Sequence, residues 1–409
     1  MLYRLYFSPG MFGFGRLASY DYFVHLERAL TERLRQGGDD VKTHVADVAP
    51  TASIRRRAAY FSDLVTSTSG EGPTDSTIHL IGHSTGGLDA RLVATPDAAL
   101  PSTSSAQSWL PRLASVTTIN TPHFGTPLAS FFATVSGQRM LEALSALTFI
   151  GLSLGSPPLA AASAVVLAFG RIDQALGFEL AVLDRSINAL LRVLDDARSR
   201  EVRAYLDALK KDQGAIIQLS PEAMDLFQAG VGDRPGVLYQ STASMAPPPS
   251  PRTFAGVLQR PWTVLSSAIF TMLYGITGRL DERYPCAAPS AGEQAEALLE
   301  RAFMRVPGAR ANDGVVPLRS QIWGKLIWAG YADHLDVLGH FRDDRPRQKR
   351  GSLPAVTPVA ARAAETHVDW LASGSTFNRA QFGGLADAIA QGLKESAERY
   401  RARVTAPPA

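Results

Sequence analysis

Thr77-Ile-His-Leu-Ile-Gly82-His83-Ser84-Thr85-Gly86-Gly87-Leu-Asp-Ala-Arg-Leu92 reads as an apolar strand, a sharp turn and a helix, with a serine at the apex. Residues Gly82 to Gly86 fit the pattern G-x-S-x-G, the nucleophile elbow. Such a turn forces its serine into a strained backbone conformation. A side chain two positions before or after it would collide across the turn, so glycine is required there. Gly82, Gly86 and Gly87 meet that demand. An idle serine in a Gly-rich turn is the alternative, and the strand before and helix after Ser84 argue against it. His83 is read as a packed or hydrogen-bonded neighbour of the serine, not as a catalytic group.

Outward from the elbow, short β-branched or aromatic runs alternate with longer amphipathic ones, the pattern of a parallel sheet covered by helices. Strands are predicted at Leu2–Ser8, Val41–Val48, Thr77–Gly82 and Ala114–Asn120, with helices at Tyr20–Gln36, Thr51–Thr66 and Thr85–Thr95. From Leu128 to about Gly230 the strands vanish and the periodicity turns helical, which marks an insertion. Strand character returns at Val237–Thr242. The Pro-rich Ala246–Arg252 then leads into a second apolar helical stretch, Phe254–Gly278. Lys325–Tyr331 reads as the last strand, followed by helices near Thr357–Ala372 and Arg379–Tyr400. The expected organisation is a core of 1–127, 231–245 and 305–409, with mainly helical cap or lid insertions at 128–230 and 246–304.

A serine hydroxyl is a poor nucleophile at neutral pH. A base must take its proton, and a carboxylate must hold that base in the right tautomer. Ala311-Asn-Asp313-Gly-Val-Val-Pro317 supplies an acid in a turn, and Tyr331-Ala-Asp-His334-Leu-Asp336 supplies a histidine just past the last strand. Both follow Ser84 in the order serine, acid, histidine. His340, six residues beyond His334, is the rival base. Asp333 and Asp336 lie too near His334 in sequence to orient it across a gap, and Asp281 lacks a turn context. The oxyanion needs two backbone N–H donors. Thr85 offers one, and Met11 in the Gly-rich loop Ser8-Pro-Gly10-Met11-Phe-Gly13-Phe-Gly15 offers the other; the bland reading of that loop is a tight turn.

Composition narrows the function further. The 409 residues are 45% hydrophobic, enough for a large core, and 41 Lys plus Arg against 38 Asp plus Glu leave a net charge of +3, too small and dispersed for a nucleic-acid groove. The basic run Arg342–Arg350 is broken by Asp343, Asp344 and Pro346, as in a solvated loop. A single cysteine, Cys286, excludes an internal disulfide. No basic segment and apolar run precede the first strand, so a cytoplasmic protein is expected. Ala143–Gly170 carries no charge but is interrupted by Gly151, Gly155 and Pro157-Pro158, which favours paired apolar cap helices over a membrane span.

Four motifs together resemble the bacterial true lipases, a branch of the α/β-hydrolases, over residues 2–130 and 305–341. Pro9-Gly-Met-Phe-Gly13 is similar to the family's oxyanion loop H-G-x-x-G, with proline in the histidine's place, and Gly82-His-Ser-Thr-Gly86 is similar to its elbow. Asn120-Thr-Pro-His-Phe-Gly-Thr126 matches the segment after the next strand, and Asn312-Asp-Gly-Val-Val316 with His334-Leu-Asp336 the acid and base segments. Gly236-Val-Leu-Tyr-Gln-Ser241 is similar to the strand before the acid. The resemblance implies an α/β-hydrolase fold: a mostly parallel sheet, lacking the first two strands of the full fold, with helices on both faces and a large helical cap. It also implies a mobile lid and hydrolysis of acyl esters, with small-molecule or lipid esters as partners and transient contact with a lipid interface. No cofactor is required, although many members hold a structural calcium near the catalytic histidine; Asp336 matches one ligand position, while the position four further on is His340. An intracellular polyester depolymerase or an acyltransferase would use the same triad. A non-catalytic lipid-binding relative would keep only the fold, and the intact triad and elbow glycines argue against it.

Overall fold

The computed structural model describes residues 1–11, 16–17, 20–70, 76–102, 108–154, 188–189, 191–192, 196–250, 261–279, 291–342, 366–367 and 371–405. Chain order begins β1 (Leu2–Ser8), β2 (Arg16–Leu17), β3 (Tyr20–Asp21), α1 (Val24–Gln36), β4 (Asp40–Val45), α2 (Ile54–Ser69), β5 (Ser76–His83), α3 (Thr85–Ala94) and β6 (Leu113–Ile119). Helices follow: α4 (Pro127–Phe132), α5 (Val135–Leu154), α6 (Asp196–Lys211), α7 (Gly214–Gln218) and α8 (Pro221–Gly230). Then come β7 (Leu238–Met245), α9 (Pro261–Thr277), α10 (Glu293–Phe303), β8 (Lys325–Tyr331), β9 (Phe341–Arg342), β10 (Thr366–His367) and α11 (Arg379–Thr405).

Six strands form one sheet in the order β4-β1-β5-β6-β7-β8, every neighbouring pair parallel. The period-two alternation of strand side chains divides the core between two faces. Tyr3, Leu5 and Phe7 of β1 pack with α1 and α11 on one face. Tyr6, Ile78, Leu80 and Val116 pack with α2 and α3 on the other. Both faces being covered, the inner strands β5 and β6 are buried along their whole length. Both edge strands carry exposed charges, Asp40 and Lys42 on β4 and Lys325 on β8, which discourages pairing with another chain.

The helices between β6 and β7 start on sequence cues. Thr126 caps α4 and Ser220 caps α8, each followed by proline at the first helical position, where no N–H is needed. Leu128, Phe132 and Met140 of α4 and α5 share one apolar cluster with Val202 and Leu206 of α6, Ile269 and Leu273 of α9, and Met11 from the loop after β1. Among the described residues, no helix is long and apolar enough to cross a membrane.

Most of the expected elements appear within a few residues of their sequence-derived ends, β1 and β8 without any shift. Tyr20 and Asp21 belong to a short antiparallel pair with Leu17 and Arg16, not to the following helix. One element differs in kind. Within the helix expected at Thr357–Ala372, Thr366 and His367 pair antiparallel with Arg342 and Phe341, and Ala372 takes a positive φ of 47° that no α-helix accommodates. Pairing with the residues just beyond His340 overrides the alanine-rich local preference. Asp281, Cys286, residues 343–350 of the basic run, and residues 357–365 and 368–370 of that expected helix lie outside the described residues, as does all of 155–170.

Three histidines are built into this core. Burial pushes His79, on β5, down from the usual 6.5 to about 3, and holds His83 and His123 well below 6.5, the latter with help from Arg91. Each is neutral when folded but takes a proton when unfolded, so the stability they confer is present above pH 6.5 and lost as pH falls towards the folded values. The slope is about 1.4 kcal/mol per pH unit for each histidine, about 4 kcal/mol for three. Urea unfolding should therefore show a steep decline between pH 6.5 and 5; a flat profile across that window would mean these rings are not held neutral.

Candidate active site

Ser84 stands at the end of β5 with φ 55° and ψ −129°, a combination few non-glycine residues adopt. The tightness of the turn explains its glycines. A Cβ on Gly82 would lie 2.2 Å from the Gly86 carbonyl, one on Gly86 2.0 Å from the Ser8 carbonyl oxygen, and one on Gly87 2.0 Å from Thr121 Oγ1. The Ser84 N–H donates to the Ile119 carbonyl at 2.9 Å, which ties the strained residue to the neighbouring strand.

Asp313 comes 68 residues after the last residue of β7, yet it sits at that strand's end. The N–H of Ala246, the residue after β7, donates to the Asn312 carbonyl at 2.9 Å. The intervening chain leaves the sheet and returns to the same edge. Asp313 is fully buried and its carboxylate is saturated: Oδ1 accepts from the N–H groups of Val315 (2.9 Å) and Val316 (2.7 Å), and Oδ2 from Asn120 Nδ2 (3.1 Å) and His334 Nδ1 (2.7 Å). The backbone repeats the link, His334 N–H donating to the Asp313 carbonyl at 3.0 Å. His334 Nδ1 therefore carries hydrogen and Nε2 carries a lone pair. That Nε2 is buried without a hydrogen-bond partner among the described residues, so it is not bonded to Ser84 Oγ in this conformation. His340, the rival, packs edge-on against His25 at 5.6 Å between ring centroids and is not among the four donors to Asp313.

The loop after β1 runs beside the serine. A Cβ on Gly10 would meet Ser84 Cβ at 2.7 Å and Ser84 Oγ at 3.2 Å, so only glycine allows the approach that brings the neighbouring Met11 to the serine's side. Thr85, the first residue of α3, carries the other expected donor. The loop is held from beneath by a charged pair with no exposure. Arg57 of α2 bonds Asp89 of α3 at 2.8 Å and donates to the carbonyls of Pro9 (2.5 Å), Pro50 (3.0 Å) and Ala49 (3.2 Å), while Ser8 Oγ donates to Asp89 at 2.7 Å. Pro9, which has no side-chain donor, is thus fixed through its carbonyl.

Asp336 does not face the serine. Its Oδ2 accepts from Asp333 N–H at 2.9 Å and Ser375 Oγ at 2.6 Å, and Asp333 Oδ1 accepts from the N–H groups of Leu335 and Asp336. A hard cation wants several oxygen ligands. Asp336 Oδ2 and Asp333 Oδ1 are engaged by N–H and O–H donors, the next candidate position offers a ring nitrogen, and no group of three acidic, histidine or cysteine side chains converges among the described residues.

Three features escaped the sequence reading. Asn120, at φ 47° just past β6, pins Asp313 while also donating to Ser244 Oγ at 2.6 Å; the motif Asn120–Thr126 singled the residue out without naming these partners. Arg57 and Asp89 showed only as charges within otherwise apolar helical faces. The partners of His83 left no local signal at all.

An all-parallel sheet in this order, with a strained serine on the turn out of a central strand and an aspartate and histidine after the last two strands, is the α/β-hydrolase fold. The chain is similar in structure to bacterial lipases and esterases. These include EstA from Clostridium botulinum (17% identity, covering 82% of this chain and 83% of that one, TM-score 0.45) and lipase 1 from Pelosinus fermentans (17%, 82% and 93%, 0.46). A metagenomic carboxyl esterase is another (18%, 96% and 75%, 0.44). No protein-family profile and no curated protein sequence matches the chain.

Removing one member of a buried ion pair leaves the other uncompensated, at a cost of about 3–5 kcal/mol. Arg57→Leu should show a loss of that size in urea unfolding monitored by circular dichroism. Stability equal to the parent's would mean that the pair is not what secures the loop.

Proposed function

We propose that this chain is a serine carboxylic-ester hydrolase that works through an acyl-enzyme, with Ser84 as nucleophile, His334 as base and Asp313 as the group that orients His334. The observation that carries this reading is the buried 2.7 Å bond from His334 Nδ1 to Asp313, on the same sheet edge as a serine held at φ 55°. His334 Nε2 accepts the Ser84 hydroxyl proton as Oγ attacks the ester carbonyl. Negative charge on the carbonyl oxygen is met by the N–H groups of Met11 and Thr85. When the tetrahedral intermediate collapses, the proton passes from His334 to the departing alkoxide, leaving an ester on Ser84. Water, deprotonated by the same nitrogen, then releases the acid.

Apolar esters are the favoured substrates. Met11 belongs to the same buried apolar cluster as Leu128, Phe132 and Met140 from the inserted helices, so the side of the loop that carries Met11 is lined by hydrocarbon. Ser84 is only 7% exposed and His334 1%, so an ester reaches them once those helices shift. A lid of this kind would act at a lipid surface.

Ser84→Ala should abolish turnover of p-nitrophenyl butyrate and labelling by a fluorophosphonate probe while the circular dichroism spectrum stays unchanged. Residual activity near the parent's rules out the assigned nucleophile. Asp313→Asn keeps the shape but loses the charge that fixes the tautomer, and kcat should fall by about 10³-fold or more. A chain-length series on the parent tests the substrate class, with a sharp preference for acetate counting against apolar esters.

A further inference from the structure

His83 has no part in proton transfer as drawn above, yet it is fully buried and both ring nitrogens are engaged. Nε2 lies 2.9 Å from the backbone carbonyl of His334, and Nδ1 lies 2.7 Å from the hydroxyl of Tyr22. The roles are fixed by chemistry. A carbonyl only accepts, so Nε2 carries hydrogen and donates; Nδ1 then holds a lone pair, to which Tyr22 donates. The geometry points to His83 and Tyr22 as a positioning pair that clamps His334 by its main chain and sets the placement of its catalytic nitrogen, a role that rests on the serine-hydrolase reading above.

The N–H and the Nδ1–H of His334 both go to Asp313, on the loop that returns to β7. The peptide that follows His334 is bonded within its own turn, Leu335 N–H donating to Asp333 Oδ1 at 2.9 Å, which does not tie it to the elbow; a shift of that turn would swing Nε2 relative to Ser84. The bond from His83 supplies the second anchor, and it comes from the residue next to the nucleophile. The distance between base and serine is thereby tied to the elbow itself. Tyr22 extends the link to the oxyanion side, since a Cβ on Gly10 would meet its hydroxyl at 3.1 Å and Ser84 Oγ at 3.2 Å. The His83 ring lies 4.7 Å from that of His334, where positive charge develops during turnover. Burial, with His334 and His340 adding to it, keeps His83 well below the usual histidine range, so a neutral ring faces the forming imidazolium.

Three variants test this with p-nitrophenyl butyrate. His83→Leu fills the space without a donor, and His83→Gln places an N–H the same number of bonds from the backbone as imidazole Nε2. Tyr22→Phe removes only the hydroxyl. A displacement of about 1 Å in a catalytic group costs about 10²-fold. We expect kcat in His83→Leu to fall by about 10- to 100-fold with KM within twofold, and fluorophosphonate labelling of Ser84 to slow in parallel. His83→Gln should recover to within about threefold of the parent, and Tyr22→Phe should lose about three- to tenfold, as for part of the same displacement. Parent-like kcat in His83→Leu, or a His83→Gln enzyme as impaired as His83→Leu, overturns the clamp. If His83→Leu does not fold, a folded Tyr22→Phe enzyme with parent-like kcat and KM does so. Activity surviving in Ser84→Ala would instead sink the hydrolase reading, which separates the two failures.

Discussion

The structure depends on one close approach of backbone to backbone, the contact between the turn after β5 and the end of β1. Gly86 lies so near the Ser8 carbonyl that a single added carbon would sit 2.0 Å from the oxygen. That proximity brings the start of α3, with the expected donor Thr85, beside the loop that carries Met11. It also obliges Ser84 to bridge strand and helix at a positive φ. Strain of this sort, of about 1–3 kcal/mol, persists only when the surroundings over-determine it. Here they do: β5 is paired on both sides, and the serine's own N–H is bonded to β6.

The polar network beneath the turn serves the same geometry. A buried Arg–Asp pair is weak evidence for stability, because two desolvated charges at best recover what their transfer from water costs. Arg57 and Asp89 are better understood by what else they bind. Between them they take up the Ser8 hydroxyl and the Pro9 carbonyl, where the chain enters the loop after β1, and the Ala49 and Pro50 carbonyls of the segment between β4 and α2. Proline at position 9 has no N–H and no polar side chain, so at that residue the loop can accept a hydrogen bond only through the carbonyl. The guanidinium, with five donors in a fixed fork, suits that task.

Much of this was legible in the sequence because it follows from local steric rules. The elbow needs glycine at 82 and 86 whatever the rest of the chain does, and the strand ends at Ser8 and Tyr331 coincide with changes in polarity that any solvent imposes. Aspartate and histidine could be chosen because each stands in a turn just past an apolar run. The illegible part is what depends on distance through space. Nothing between residues 246 and 312 announces that the chain returns to the end of β7, although the position of Asp313 rests on it. The pairing of Thr366 and His367 with Arg342 and Phe341 likewise outweighs a local helical preference, as sheet contacts commonly do. Arg57 and Tyr22 carry no motif, the motif that holds Asn120 does not name its partner, and the roles of all three exist only through residues tens to hundreds of positions away.

One asymmetry connects these observations to catalysis. On the acid side of His334 the Asp313 carboxylate takes four donors, one of them His334 Nδ1, and its backbone carbonyl takes the His334 N–H. On the serine side, Nε2 is buried and unbonded, at a cost of about 1–3 kcal/mol for an unsatisfied acceptor. A fold selected for stability alone would bury carbon there. The unsatisfied nitrogen lies on the ring that Asp313 orients. In the proposed mechanism its missing partner is the proton in transit from Ser84, so that the bond folding left unmade would be recovered in the step that makes the hydroxyl reactive.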